Sequence, residues 1–450
     1  MLSRLFARPQ TLLLGSFAAA IATGSFLLWL PVSQTQNSVG YLDALFTSTS
    51  AVCVTGLVVV NTATEYSRFG QVVIMTLIQV GGLGVMTFAA VFFYIFNRRL
   101  SMRSRGVLRD TLFHKEAAGE FRHAFLQAVI SAAAVELTGV APLFLQLRKM
   151  QGGSEALFCA LFHSVSAFCN AGFSVYSENL AVFSRRPFVL LTIAGLIILG
   201  GIGHHVLREA ARRAWRRLRK QAQSSVRWSL SARAALWATF YLIFGGMAGL
   251  MIFGVASDPQ EGWGGRALHA FFQSVSARTA GFNSVNVGQI PLASILILIG
   301  LMFVGGSPGS CAGGVKTTSL AIGWGYLRSS FRGRREVALL GRAIPEDLLH
   351  RTALLVILAL LWNGAGLLIL AACQQGVGDW DLADMAFEQI SAFGTVGLST
   401  GLTPFLTPLG KVWIILTMYF GRLGPLTLAL WALESPGPSV RHPEERLMIG

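Results

Sequence analysis

The residues of chemical interest in this 450-residue chain are four short loops, each ending in a glycine. They read Val52-Cys53-Val54-Thr55-Gly56, Phe168-Cys169-Asn170-Ala171-Gly172, Arg278-Thr279-Ala280-Gly281 and Gly394-Thr395-Val396-Gly397. A glycine takes φ of either sign, so its peptide carbonyl can turn where other residues resist. Carbonyl oxygens gathered from several loops can replace the hydration shell of a cation. One such loop would be a weak signal; four in matching contexts are a strong one. The chemistry implied is passage of an ion. The filter positions are Val54, Thr55 and Gly56; Asn170, Ala171 and Gly172; Thr279, Ala280 and Gly281; and Thr395, Val396 and Gly397.

The same motif leads into each loop. It reads Phe46-x-Ser48-x-Ser50-Ala51, Phe162-x-Ser164-x-Ser166-Ala167, Phe272-x-Ser274-x-Ser276-Ala277 and Phe387-x-Gln389-x-Ser391-Ala392. The second Ser of each motif recurs after 116, 110 and 115 residues, and the glycine follows it by six positions, or five in the third copy. These segments read as short helices that enter the membrane and end within it. Their carbonyl ends, carrying about half a negative charge, then point at a common centre and favour a cation there. Ser50, Ser166, Ser276 and Ser391 are not nucleophiles, because no base recurs with them. They are expected to bond backbone carbonyls at the helix ends.

Long apolar stretches must carry these loops. Hydrophobic residues make up 53% of the chain and charged ones 13%, about half the usual soluble share. The mean hydropathy of +0.58 excludes a disordered or highly charged soluble chain. A spanning helix needs about 20 mostly apolar residues. Candidates lie near 11–30, 70–96, 121–145, 187–207, 232–256, 291–325, 351–373 and 409–432. The first could be taken for a signal peptide, but it opens the first internal repeat. The fold expected is an all-α membrane protein of four span–pore helix–filter–span repeats, with eight transmembrane helices around a pseudo-four-fold pore. The repeats cover 1–100, 101–220, 221–335 and 336–433, with a cytosolic tail over 434–450. Non-helical backbone at membrane depth is tolerated only when buried or lining a wet cavity.

The formal charge of +15 is ambiguous until its residues are sorted. Of 36 Lys and Arg, 26 fall at the termini and in the connections 98–122, 208–233 and 328–351. The positive-inside rule then puts both termini and these connections in the cytoplasm. Asp43, Glu65, Glu155, Glu178, Asp258, Glu261, Asp379, Asp381, Asp384 and Glu388 fall on the opposite side, where they can concentrate cations. Asp43, Glu155 and Asp381 sit near short-helix starts and are expected to cap them. Apart from Trp215 and Trp228, the basic connector lacks the interleaved aromatics of a nucleic-acid surface, so lipid head groups or a cytosolic partner fit it better. The five cysteines match no metal or disulfide pattern and read as buried small apolar residues. No H-E-x-x-H or paired intramembrane aspartate supports an enzyme.

The second span of each repeat carries an echo: Gly81-Gly82, Gly200-Gly201, Gly305-Gly306 and Gly421-Arg422. In the third copy, Gly305, Gly306, Ser307, Pro308, Gly309, Ser310, Gly313, Gly314 and Lys316 cannot hold a stable helix, which marks a broken span. A Walker A reading fails because Val315 separates Gly314 from Lys316. The loop 305–318 is expected beneath the filter, obstructing the path. Arg422 takes the place of a glycine, and an intramembrane charge is functional by default. It is expected to face the pore as an electrostatic barrier. Its structural alternative is an ion pair with Glu136, the one intramembrane acid. His204 and His205, at the inner end of a span, read as interfacial rather than metal-binding.

Along nearly its whole length the chain resembles the Trk/Ktr/HKT superfamily of potassium transporters, and most closely its Ktr-type membrane subunits. Thr47–Leu57 looks like the first filter of that family, Gly305–Thr318 like its intramembrane gating loop, and Pro443–Gly450 like a Ktr-type C-terminus. The extra N-terminal helix pair usual in Trk-type subunits is absent from this sequence. Sodium-favouring members often have serine at the first filter glycine; this chain keeps Gly56, which implies K+ bound by filter carbonyls. A sodium-permeable or weakly selective pathway is the alternative. The resemblance further implies a homodimer and one pore per subunit. It implies a cytosolic, RCK-type, KtrA-like nucleotide-binding ring on the basic face, a bacterial plasma membrane, and Na+ as a coupling or activating ion. No organic cofactor and no nucleic acid is implied.

Overall fold

A computed structural model describes residues 9–36, 38–84, 121–218, 228–255, 262–334 and 336–424. Arg4, Arg8, the connection 98–120, the stretches 85–96 and 425–432 of two expected spans, 219–227 of the basic connector, Asp258, Glu261 and the tail 434–450 lie outside these residues.

The described chain is helical. In order it forms α1 (Pro9–Trp29), α2 (Tyr41–Val52), α3 (Arg68–Gly82), α4 (Phe121–Leu147), α5 (Gly153–Phe168), α6 (Pro187–Ile202), α7 (His204–Leu218) and α8 (Leu230–Phe253). Then follow α9 (Trp263–Ser276), α10 (Leu292–Phe303), α11 (Thr317–Phe331), α12 (Glu346–Cys373), α13 (Leu382–Gly394) and α14 (Pro408–Leu423). A two-residue hairpin, β1 (Ala338–Leu339) with β2 (Arg342–Ala343), joins α11 to α12. The sequence reading did not foresee it; Leu340 and Gly341, both at positive φ, make its turn.

The C-terminal halves of the four short helices α2, α5, α9 and α13 are almost wholly buried. Each packs on the long helix before it: α1 on α2, α4 on α5, α8 on α9, α12 on α13. The first polar residue of each motif makes this crossing. Ser48 Oγ donates to Ile21 O at 2.8 Å, Ser164 Oγ to Glu136 O at 2.5 Å and Ser274 Oγ to Ile243 O at 2.7 Å. The crossings need small residues on the long helices. A Cβ on Gly24, Gly139, Gly246 or Gly366 would overlap Ser48, Ser164, Ser274 or Gln389 respectively. The helix after each loop packs in turn on the next short helix: α3 on α5, α6 on α9, α10 on α13, and α14 on α2. The last contact joins the end of the described chain to its beginning.

Three described helices are long and apolar enough to cross a membrane: Val129–Leu147, Leu230–Phe253 and Glu346–Cys373. α6 and α7 make a fourth candidate only as a pair bent by 103°. Leu14–Trp29 and Leu292–Phe303 are shorter apolar helices. The expected span 187–207 therefore stops at Ile202, because Gly203 (φ +92) takes the chain out of helical geometry. The expected span 291–325 is two helices, α10 and α11, separated by a non-helical stretch. Large apolar side chains cover the outside of the long helices, among them Phe240, Phe244, Leu361 and Leu368. Such a surface suits lipid.

Candidate functional site

The four glycine loops meet in a closed ring. A Cβ on Gly56 would collide with the Ala171 carbonyl oxygen, and one on Gly172 would come within 2.7 Å of Ala280 O. A Cβ on Gly281 would collide with Val396 O, and one on Gly397 with Thr55 O. The order of contact is 56, 172, 281, 397 and back to 56. The four glycines have φ of +94, +70, +75 and +95. Two positions earlier, Val54, Asn170, Thr279 and Thr395 are also left-handed, a conformation costly for β-branched residues. All twelve filter positions named from the sequence are thus brought together. Among the described residues no group donates a hydrogen bond to the carbonyls of Thr55, Ala171, Ala280 or Val396. Buried carbonyls without donors are costly unless a cation or water meets them.

The short helices hold this backbone from behind. Thr55, Ala171, Ala280 and Val396 donate their N–H groups to the carbonyls of Ser50, Ser166, Ser276 and Ser391 at 2.7–2.9 Å. The serine side chains act beyond the helix ends, on the loops. Ser50 Oγ and Ser391 Oγ accept from the N–H of Gly56 and Gly397, at 3.0 and 3.1 Å. Ser166 and Ser276 instead donate to the carbonyls of Phe173 and Phe282. The expected bonds to helix-end carbonyls are thus replaced by bonds to the loops, and the helix-end carbonyls are approached by neighbouring helices. A Cβ on Gly81, Gly200 or Gly421 would collide with the carbonyl of Val52, Phe168 or Phe393. In the third copy Gly305 meets Gly313 O instead.

Residues 304–316 form a folded loop between α10 and α11. Gly305 donates to Val315 O at 2.8 Å and Thr317 N–H to Gly306 O at 3.1 Å, which closes its neck. Its tip reaches the C-terminal end of α6. Ser307 N–H donates to Gly201 O at 3.0 Å, and Cys311 N–H to Gly200 O at 3.4 Å. His204 Nδ1 lies 2.7 Å from Gly309 O. Its far limb reaches the fourth filter loop, since a Cβ on Gly313 would overlap the Thr395 side chain and one on Gly314 would lie 3.4 Å from Gly394 Cα.

Three cations, Arg278 buried and Lys316 and Arg422 half-buried, hold the loop's carbonyls. Arg422 donates to Cys311 O and to Gly81 O. Lys316 Nζ donates to Ala312 O at 2.7 Å, and Arg278 reaches Gly305 O at 3.5 Å. Arg422 forms no ion pair with Glu136; that carboxylate accepts from Gln79 Nε2 at 3.1 Å through both oxygens. All the residues named for the gate lie in this one region.

On the opposite side, Asp381 caps α13 in a reciprocal box with Asp384, as expected. Asp43 and Glu155 do not cap. Asp43 pairs with Lys411 at 2.6 Å and Glu155 pairs with Arg68. Gly40 and Gly152 take the cap positions, which leaves those two acids for neighbouring helices. Cys53, Cys159, Cys169 and Cys311 are buried free thiols and Cys373 is half-buried. Sequence reasoning missed Gly24, Gly139, Gly246 and Gly366, the Arg278 contact and the His204 contact. A search for glycines 23 to 28 positions before Ser48, Ser164, Ser274 and Gln389 would have found all four.

A family model described as a cation transport protein, TrkH, matches residues 10–442. The chain is 35% identical to the Ktr system potassium uptake protein B of Bacillus subtilis, over 99% of this chain and 97% of that protein. It is 34% identical to the potassium/sodium uptake protein NtpJ of Enterococcus hirae, over 98% of this chain and 97% of that protein. The crystal structure of the potassium transporter TrkH from Vibrio parahaemolyticus shares its fold, with a TM-score of 0.64 at 19% identity over 93% of this chain and 83% of that one. The chain belongs to the TrkH family of cation transport proteins, and is a helical membrane protein.

Proposed function

We propose that this chain is the ion-translocating subunit of a potassium uptake system in a bacterial plasma membrane. Four repeats, eight spans in all, surround one pore, with both termini in the cytoplasm. K+ passes the carbonyls beside Gly56, Gly172, Gly281 and Gly397, which stand in for its hydration shell. The loop 304–316 lies below them as the gate, and Arg422 is both its latch and an electrostatic barrier to cations. The observation that carries this reading is the closed ring of glycine loops with carbonyls that no described group satisfies. The full-length similarity to a Ktr system protein B supports potassium as cargo. It also supports a homodimer docked on a cytosolic KtrA-like nucleotide-binding ring, with Na+ as an activating ion.

A second reading, a pathway shared by Na+, is favoured by the similarity to a protein named for potassium and sodium uptake. Uptake of K+ in a bacterial strain lacking its own potassium systems, with and without Na+, separates the two. Growth rescue at low K+, with Na+ excluded from the pathway, is the expected result. No K+ uptake, or equal Na+ flux, overturns the first reading.

A further inference from the structure

The bend at Gly203 delivers a helix that the ion path does not use. α7 leaves α6 at 103°, so with α6 crossing the bilayer α7 lies close to its plane. Its residues fall into three arcs. Val206 is buried against Ala232 and Ala235 of α8. His205, Arg212 and Arg216 are exposed on the second arc. Ala211, Ala214 and Trp215 are exposed on the third, which adjoins the arginines. A helix with a basic edge beside an apolar edge carrying tryptophan has the make-up of an interfacial helix.

α7 is fixed at both ends. Glu209 accepts from the Ser229 N–H and Oγ, at 3.0 Å each, and pairs with Arg213 at 3.5 Å. The Arg213 guanidinium lies 4.1 Å above the Trp228 ring. These contacts make α7 rigid with the start of α8. At its other end, the His204 ring and N–H both approach Gly309 O, at 2.7 and 3.3 Å, inside the loop 304–316.

We infer that α7 is a binding surface for anionic phospholipid that biases the loop 304–316. Arg212 and Arg216 take the phosphate head groups, and Trp215 sits at the boundary of head groups and acyl chains. Displacement of α7 reaches the loop through His204 and Gly309. The negative leaflet complements the basic arc, and the adjoining apolar arc suits a bilayer better than a soluble protein. The inference rests on reading that loop as the gate.

The test uses the full chain, purified and reconstituted in phosphatidylcholine vesicles with or without phosphatidylglycerol. Lipid retained by the detergent-solubilised protein is read separately, by native mass spectrometry. Phosphatidylglycerol should be retained and should raise K+ flux. Arg212→Gln/Arg216→Gln should weaken retention about fivefold for each arginine removed and abolish the flux response. Its flux in phosphatidylcholine alone should equal that of the unaltered chain. His204→Ala should keep retention but lose the response. Unchanged retention in the double variant, or a flux response that survives it, overturns the inference. Loss of capture of the cytosolic nucleotide-binding subunit, with lipid retention intact, assigns the surface to a protein and also overturns it. Retention is read without flux, so a chain that carries no K+ sinks the transport reading while the lipid site is still decided.

Discussion

The ring of glycine loops and the loop 304–316 are both irregular backbone packed among helices, yet they treat their carbonyls oppositely. In the ring, the N–H groups of Thr55, Ala171, Ala280 and Val396 are consumed by helix ends, while their own carbonyls have no donor among the described residues. In the loop, the carbonyls of Gly306, Gly309, Cys311 and Ala312 all accept from protein groups, two of them cationic side chains. Backbone fixed from behind with free carbonyls is a site awaiting a cation. Backbone whose carbonyls are already taken is closed to one, and opens only if its donors let go. On the proposed reading, the ring keeps one shape and the loop takes two.

The sharpest way to break this contrast is to distort the ring alone. In Gly56→Ala the new methyl meets the Ala171 carbonyl oxygen at a φ that L-residues resist. About 3 kcal/mol of strain at the site corresponds to about a 100-fold loss of K+ uptake, read in cells lacking other potassium systems. An uptake rate near that of the unaltered chain would remove the ring from the pathway. The opposite intervention frees the loop. Arg422→Gln and Arg422→Ala remove charge-assisted bonds to Cys311 O and Gly81 O. Uptake should rise about tenfold with K+ preference over Na+ unchanged; a fall in rate, or a lost preference, would put Arg422 in the filter rather than the latch.

A milder change tests the support behind the ring. Ser50→Ala removes the acceptor for the Gly56 N–H, worth about 1 kcal/mol. The K+ over Na+ preference should fall about fivefold while maximal flux changes little, as ion-competition uptake can read. Smallest of all is the outer pair. Asp43→Asn weakens the contact with Lys411, and a partly exposed pair of this kind contributes about 0.5 kcal/mol. Thermal unfolding of the solubilised protein should register a small loss, with neither selectivity nor rate disturbed.

The filter positions, the broken third span and the odd arginine were legible in the sequence because each is a repeated pattern or a departure from one. Gly56, Gly172, Gly281 and Gly397 announce themselves by recurrence, and Arg422 by replacing a glycine. What was not legible depends on which face of one helix meets another. Gly24 and Gly366 lie in uniformly apolar helices, where no periodicity marks the face crossed by Ser48 or Gln389. Asp43 and Glu155 read as caps because their partners, Lys411 and Arg68, are distant in the chain or belong to another unit. The sharp turn before α7 is carried by Gly203 alone, inside a run of glycines whose roles differ one from the next.

The contact between α14 and α2 has a consequence for how the molecule is made. Lys411 bonds Asp43, and the Tyr419 hydroxyl donates to Leu14 O, across 368 and 405 residues of chain. Until the last helices leave the ribosome, the first loop has nothing on one flank and the enclosure has a seam. Synthesis is therefore the assembly of an arc that becomes a circle only near its final step. A chain arrested before residue 408 should insert its earlier helices and carry no ion. Supplying residues 346–450 as a separate polypeptide should restore uptake, if that seam is held by the contacts across it.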